Sequence, residues 1–157
     1  MIKLREVTAK DKKLVYNLLQ FALYDGSQYI ENEIDNEGFF QYKYFENYFK
    51  DKDRYAYLIE YDNKVVGFTF INSYLKIFKE GYSIAEFLIL PNYRRLHIGS
   101  EVCNIIFSKF KGNFEISPIE NSEVAYKFWK KVVSNYTNDN YKENNIDNEI
   151  IFTFENK

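Results

Sequence analysis

Residues 85–102 read Ala85-Glu86-Phe87-Leu88-Ile89-Leu90-Pro91-Asn92-Tyr93-Arg94-Arg95-Leu96-His97-Ile98-Gly99-Ser100-Glu101-Val102. The apolar run up to Leu90 marks a strand, and Pro91, which cannot donate to a sheet ladder, ends it. A basic turn follows, and from Gly99 the residues Val102, Ile105, Ile106 and Phe110 recur at helical spacing. A turn that feeds a helix N-terminus presents unpaired backbone N–H groups and the positive end of the helix dipole. Such an end binds phosphate through its backbone. Arg94 and Arg95 add charge beside it, and Gly99 and Ser100 are small enough to let a phosphate approach. The segment reads as an anion site suited to a diphosphate, against the plainer alternative of an exposed basic turn.

The rest of the composition makes this stretch stand out. The chain has only four Arg, two Pro and one His, and Pro91, Arg94, Arg95 and His97 fall within seven positions. Aromatic residues reach 20%, with 15 Tyr and 15 Phe, so an aromatic cluster alone carries little functional weight. The 157 residues fit a single domain, long enough to bury about two thirds of its unfolded surface without disulfides or a structural metal. With 21 basic and 23 acidic residues and no basic stripe, a nucleic-acid groove is not expected. One cysteine cannot form an internal disulfide, and inert packing is the reading for Cys103 inside its helix. No apolar run approaches the roughly 20 residues that span a bilayer, and the start has no secretory pattern. A soluble cytoplasmic domain without membrane contact is expected.

Outward from the turn, the chain alternates elements. Ile2 to Val7 reads as a strand. Thr8 is an N-cap with Asp11 as its capping-box partner, and a helix covers roughly 9–24 up to Gly26. Phe40, Tyr44, Phe45, Tyr48 and Phe49 suggest a second helix with an aromatic, core-packing face. Tyr55 to Tyr61 and Lys64 to Tyr74 form a hairpin across Asp62-Asn63. Tyr82 to Leu90 is the next strand, Phe114 to Ser117 a short one, and Ala125, Phe128, Trp129 and Val132 mark a further helix. Tyr136 to Tyr141 and Glu149 to Glu155 are the last strands. The order β-α-α-β-β-β-α-β-α-β-β implies an α/β (α+β) fold with a mixed sheet flanked by about four helices.

On these residues the chain resembles the GNAT superfamily of N-acetyltransferases. Arg94 to Gly99 is similar to its acyl-CoA signature, Arg/Gln-x-x-Gly-x-Gly/Ala after a strand, and Pro91-Asn92-Tyr93-Arg94 resembles the family's Pro-x-Tyr-Arg approach. Glu120 to Trp129 resembles the second motif, Asn-x-x-Ala-x-x-Phe-Tyr. The Phe128-Trp129 variant looks most like a bacterial branch of predicted acetyltransferases. The element order agrees over nearly the whole chain, and the sheet is then mostly antiparallel. Two departures stand out. His97 replaces the first glycine, a tolerable exchange if φ is positive. Asn121 lies four residues before Ala125 instead of three, so either it is displaced by one residue or Ser122 takes its place. A P-loop reading fails because no Gly-Lys-Ser/Thr follows the turn.

The resemblance implies acetyl-CoA as acyl donor and direct attack by a primary amine, with no covalent enzyme intermediate. It implies cofactor contacts from Arg94, Arg95, Leu96, His97, Ile98, Gly99, Ser100 and Asn121, and an oxyanion donor in the backbone N–H of Ile89. A base must deprotonate the amine. Glu86, the only carboxylate on that strand, is the candidate, against the reading of a solvent-facing Glu. Trp129 stands where a Tyr acid is common, leaving Tyr126 and Tyr136 as substitutes. The other class of function consistent with these departures is a non-catalytic acyl-CoA-binding regulatory module. The expected partner is a small-molecule or peptide amine. It is cationic if the stretch 25–38, with Asp25, Glu31, Glu33, Asp35 and Glu37 and no basic residue, steers it. A homodimer is compatible with this reading.

Overall fold

Seven strands in the order β1-β2-β3-β4-β5-β7-β6 make the sheet in a computed structural model that describes residues 1–157. The strands are β1 (Ile2–Glu6), β2 (Arg54–Tyr61), β3 (Lys64–Asn72), β4 (Tyr82–Ile89), β5 (Gly112–Ile116), β6 (Lys142–Ile146) and β7 (Glu149–Asn156), with helices α1 (Lys12–Gly26), α2 (Ile98–Lys109) and α3 (Glu123–Thr137) between them. Every neighbouring pair is antiparallel except β4–β5. This is the mixed, mostly antiparallel sheet that the sequence implies. No helix is long and apolar enough to cross a membrane.

Two cores lie on opposite faces of the sheet. One packs α2 and α3, through Val102, Ile106, Phe107, Val132 and Val133, onto Tyr57, Ile59, Ile84, Ile89, Phe114 and Phe152. The other packs α1, through Val15, Leu18 and Leu19, with Phe45 and Tyr48, onto Leu58, Phe68, Phe70 and Leu88. A short 3-10 turn at Ala9–Asp11 precedes α1, and the Asp11 carboxylate accepts from the Thr8 N–H at 2.9 Å, as expected of that pair.

Three expectations are corrected. The aromatic segment after Gly38 is no α-helix: it forms turns and one 3-10 turn at Glu46–Phe49, so the sheet carries three α-helices. Aromatic side chains lose rotamer freedom in a helix. Here the segment is fixed from outside instead, by Phe40 hydrogen-bonded to Gln20 and by Tyr42 and Tyr48 packed on Phe70. Phe45 and Tyr48 are nevertheless core residues, as their apolar character implied. Tyr136 and Thr137 belong to α3, which stops where Asn138 (φ 52°) and Asp139 (φ 66°) turn left-handed. The strand expected there begins six residues later, as β6, and a hairpin joins it to β7 across Asp147 (φ 51°) and Asn148 (φ 68°).

The Asp62-Asn63 hairpin is as read, with φ of 49° and 66°, the left-handed pair that matches strand twist. Two further features fix strand geometry. The register of β3 and β4 jumps between Phe70↔Glu86 and Ile71↔Ile84, leaving Ala85 as a bulge. Buried Glu115 accepts the N–H groups of Lys76, Ile77 and Phe78 at 2.7–2.9 Å and fastens the β3–β4 loop to β5.

Candidate active site

β4 and β5 share only the pairs Tyr82↔Phe114 and Ser83↔Glu115. Beyond Ser83 the edge of β4 that faces β5 is free of ladder bonds, so the sheet opens into a gap toward the C-terminal end of β4. The backbone of Ile89 faces this gap. Leu90 N–H donates to Val66 carbonyl at 2.8 Å across the pair Gly67↔Ile89, which makes that pair a non-hydrogen-bonded one. The N–H and C=O of Ile89 therefore point away from β3. The N–H position expected of an oxyanion donor is thus directed into the opening.

The turn after β4 runs through a 3-10 turn at Pro91–Tyr93 into α2. Arg95 (φ 68°) and His97 (φ 60°) both take left-handed backbone, so His97 stands in the conformation that the missing glycine would favour. Alternating left-handed residues turn successive N–H groups toward one side. The N–H groups of Arg95, Leu96, His97, Ile98, Gly99 and Ser100 have no acceptor within the protein, and the first bond of α2 is Glu101 N–H to His97 carbonyl, at 3.2 Å. Arg94 Nε donates to Ile89 carbonyl at 2.8 Å, which holds its guanidinium at the mouth of the gap. Arg94, Arg95, Leu96 and His97 are exposed, whereas Ile98 is buried and anchors the turn. A Cβ on Gly99 would meet the Phe128 ring at 3.2 Å, so α2 starts close against α3. Phe87, Phe128 and Trp129 pack ring to ring at 5.0–6.0 Å beside it.

Glu86 lies on the opposite, α1 face, because the bulge at Ala85 separates it from Ile84. Its cross-strand neighbour is Phe70, and the Tyr42 hydroxyl lies beside its carboxyl. Burial pushes its pKa up to about 7, and the hydrogen bond from Tyr42 works against that rise. Tyr48 stacks on Phe70 at 4.0 Å and accepts a hydrogen bond from Asn72 at 3.0 Å. Tyr42 and Asn72 were not singled out from sequence, and Tyr48 stood out only as part of a core-packing aromatic face, since nothing in their spacing points at β4.

The remaining candidates are placed elsewhere. Tyr126 donates to Glu143 on β6 at 2.8 Å and packs on Phe152. Tyr136 donates to Asn156 at 3.1 Å, with its ring against Phe107 and Phe154. Both therefore serve the β6–β7 side of the sheet and neither joins Glu86. In this arrangement both candidate acids have their hydroxyls engaged with these partners. Asn121 (φ 66°) donates to Tyr29 carbonyl at 3.1 Å, tying the segment before α3 to the end of α1, while the Ser122 hydroxyl caps α3 by accepting Ala125 N–H at 3.1 Å. Of the two alternatives for the second motif, Ser122 holds the capping place. Cys103 is fully buried, and burial pushes its thiol pKa up.

Known proteins agree with this geometry. Residues 13–133 match the Acetyltransferase (GNAT) family. No curated protein matches the chain. Among solved structures, an acetyltransferase from Thermus thermophilus is similar at a TM-score of 0.71 and 13% identity, over 98% of this chain and 94% of that one. The PaiA N-acetyltransferase of Thermoplasma acidophilum, solved with coenzyme A, gives 0.61 and 14%, over 99% of both chains. The aminoglycoside acetyltransferase AAC(6')-Ib, also with coenzyme A, gives 0.68 and 9%, over 99% of this chain and 95% of that one. The match over residues 13–133 covers most of the sequence and agrees with the gap, the turn and the order of strands: the chain belongs to the GNAT family of acetyltransferases.

Proposed function

We propose that the chain is an N-acetyltransferase that moves the acetyl group of acetyl-CoA onto a primary amine held beside Glu86. The observation that carries this reading is the run of acceptor-free N–H groups from Arg95 to Ser100 at the mouth of the β4–β5 gap. A diphosphate satisfies those groups at the positive end of α2, with Arg94 and Arg95 adding charge. Bound acetyl-CoA supplies an acyl group already activated as a thioester. Ile89 N–H, turned into the gap, offers a hydrogen bond to the acyl oxygen.

Glu86 takes the proton of the amine, the neutral amine attacks the thioester carbon, and as the C–S bond breaks coenzyme A leaves as a thiolate that takes its proton from water. An alkylammonium has a pKa near ~10, so a carboxylate at its ordinary value of 4.5 is a poor match. At about 7, Glu86 is closer to the amine by roughly half that difference while staying substantially ionised at neutral pH. The acceptor enters where the end of α1, the 27–40 segment and the start of α3 meet. Gln20 bonds both backbone groups of Phe40 there, and Asn121 bonds Tyr29. Asp35 is used inside this segment, accepting Glu37 and Phe39 N–H. Asp25 accepts from Gln28 at 3.2 Å, and Glu31, Glu33 and Glu37 remain to attract a cationic amine.

The test is thermal unfolding with acetyl-CoA, followed by transfer assays on a panel of amines. Ligand at 100 times its Kd stabilises by about 2.7 kcal/mol, a shift of roughly 5–10 °C in Tm at this size. No shift at millimolar ligand refutes the reading. A non-catalytic acyl-CoA-binding module is the second reading, favoured by Tyr126 and Tyr136 being engaged with other partners. E86Q separates the two: an enzyme keeps the thermal shift and loses about 10²-fold or more in rate, whereas a binding module transfers nothing in either form.

A further inference from the structure

α1 carries two apolar stripes, and only one of them is covered. Val15, Leu18 and Leu19 face the sheet and are buried. Leu14, Asn17, Phe21 and Tyr24, spaced by three, four and three residues, run along the side turned away from it. Leu14 is 39% exposed, Phe21 57% and Tyr24 72%. That spacing is the seam along which helices pair. Ile30, Ile34 and Phe39 of the following segment are exposed as well. Large apolar side chains on the surface thus gather between residues 14 and 39, and such a gathering marks an interface where single scattered ones would not.

The charges beside the stripe identify what covers it. Lys12 is taken by Glu46, whereas Lys10 and Lys13 at the start of α1 have no acidic partner. After the helix, residues 25–38 carry five carboxylates and no basic residue. Glu31 and Glu33, both exposed, enter no ion pair. Phe40 bonds Gln20, and the Phe39 ring lies 5.7 Å from that of Tyr16, so this acidic loop runs back along one flank of α1. Lys13 stands on the same flank, seven residues before Gln20. A two-fold axis that pairs α1 antiparallel with its copy lays like flank on like flank. The lysines of each copy then meet the acidic loop of the other, and the two helix dipoles oppose favourably. With the axis passing between Asn17 and Phe21 the stripe matches itself, Leu14 against Tyr24 and Asn17 against Phe21.

We propose that the outer face of α1 is the interface of a two-fold homodimer, in which two copies of α1 pack antiparallel over Leu14, Phe21 and Tyr24 and the lysines of each copy hold the acidic loop of the other. The two lysines answer only part of the five carboxylates, so an acidic surplus stays available to an amine. The dimer does not depend on the transfer reaction.

Sedimentation velocity of the full chain from roughly 1 to 100 μM, the affinity range of a modest interface, reads the association. F21E puts a charge into the stripe and weakens the dimer about tenfold or more. Phe21 is more than half exposed, so the fold of each subunit stands, as circular dichroism would show, and Y24K serves as a second variant. K10E/K13E and E31K/E33K each set like charges against each other and weaken the dimer several-fold at low salt. An equimolar mixture of those two proteins associates again, because at both contacts of the mixed dimer opposite charges meet. A chain that stays monomeric at the top of the range overturns the proposal. So does a dimer that F21E and Y24K leave unchanged, since it uses another surface. A mixture that associates no better than its two components overturns the antiparallel arrangement.

Discussion

A carboxyl group whose pKa is raised by burial makes folding depend on pH in a predictable direction, and E86Q isolates that dependence. In the unfolded chain Glu86 ionises around its ordinary value of 4.5, and in the folded protein around 7. Below 4.5 both states are protonated and the folded protein has its full stability. Between 4.5 and 7 the unfolded chain releases a proton that the folded one retains, so stability falls as pH rises. Above 7 both states are ionised and the loss levels off. The two values lie about 2.5 pH units apart, and each unit is worth about 1.4 kcal/mol, so the full loss is about 3 kcal/mol. That figure is a ceiling, because the residue as a whole is partly exposed and solvent screens its charge. Tyr42 and Tyr48, whose pKa values burial raises further above 10, do not titrate in this window. Urea unfolding of both proteins from pH 4 to 8, followed by the fluorescence of Trp129, gives the difference in stability with all shared titrations cancelled. E86Q should gain on the unsubstituted protein by up to about 3 kcal/mol across that range, with most of the gain between pH 5 and 7. A difference that stays flat within about 0.5 kcal/mol refutes the buried, late-titrating Glu86, and with it the physical basis for its use as a base.

Three further outcomes follow from the turn and the strands that position it. In G67A the new Cβ would stand 1.9 Å from the Leu88 carbonyl oxygen, a backbone wall, so β4 must shift and strain the Leu90–Val66 bond; calorimetry should show a loss of about 2–4 kcal/mol, roughly 10 °C in Tm. H97G relieves a left-handed φ of 60° but loosens the unfolded chain, two effects of about 1 kcal/mol each, so stability stays within about 1 kcal/mol and acetyl-CoA affinity is kept or improved in isothermal titration. R94A removes the guanidinium held on Ile89 carbonyl and should weaken acetyl-CoA binding about tenfold, with a smaller effect at high salt, as titrations at two ionic strengths would show.

Much of this architecture was legible because its signals are local. Asp62-Asn63 between two apolar runs specifies a tight hairpin, and Pro91 followed by a basic turn and Gly99 specifies a strand handing over to a helix. The same Asp-Asn signal recurs at Asp147-Asn148, but no apolar run marks the strand before it, because Lys142 to Asn145 are polar and mostly exposed, as an edge strand can be. Asn138-Asp139 likewise ends α3 by left-handed geometry, where the aromatic run from Tyr136 suggested a strand. The false second helix has a different origin. In a chain with 20% aromatic residues, helical spacing of Phe and Tyr arises easily, and here it reflected anchoring to α1 and Phe70.

The neighbourhood of Glu86 was only half legible, and the reason lies in one residue. Strict alternation along β4 would put Ile84, Glu86 and Leu88 on one face. The extra residue at Ala85 breaks that pattern: Ile84 joins Ile89 and Phe87 in the core under α2 and α3, while Glu86 keeps company with Leu88 on the α1 face. The strand can thereby contribute apolar side chains to the larger core at both its ends and still present a carboxylate to the other side, beside the 39–49 segment. No local signal announces the bulge, because Ala is compatible with either face. The neighbours of Glu86, Phe70 across the ladder and Tyr42 from the 39–49 segment, are distant in sequence and meet it only because β3 pairs with β4 and Phe70 seats the Tyr42 ring. The turn after β4 is read from consecutive residues and therefore shows in the sequence; the surroundings of Glu86 are assembled across strands and show only in the fold.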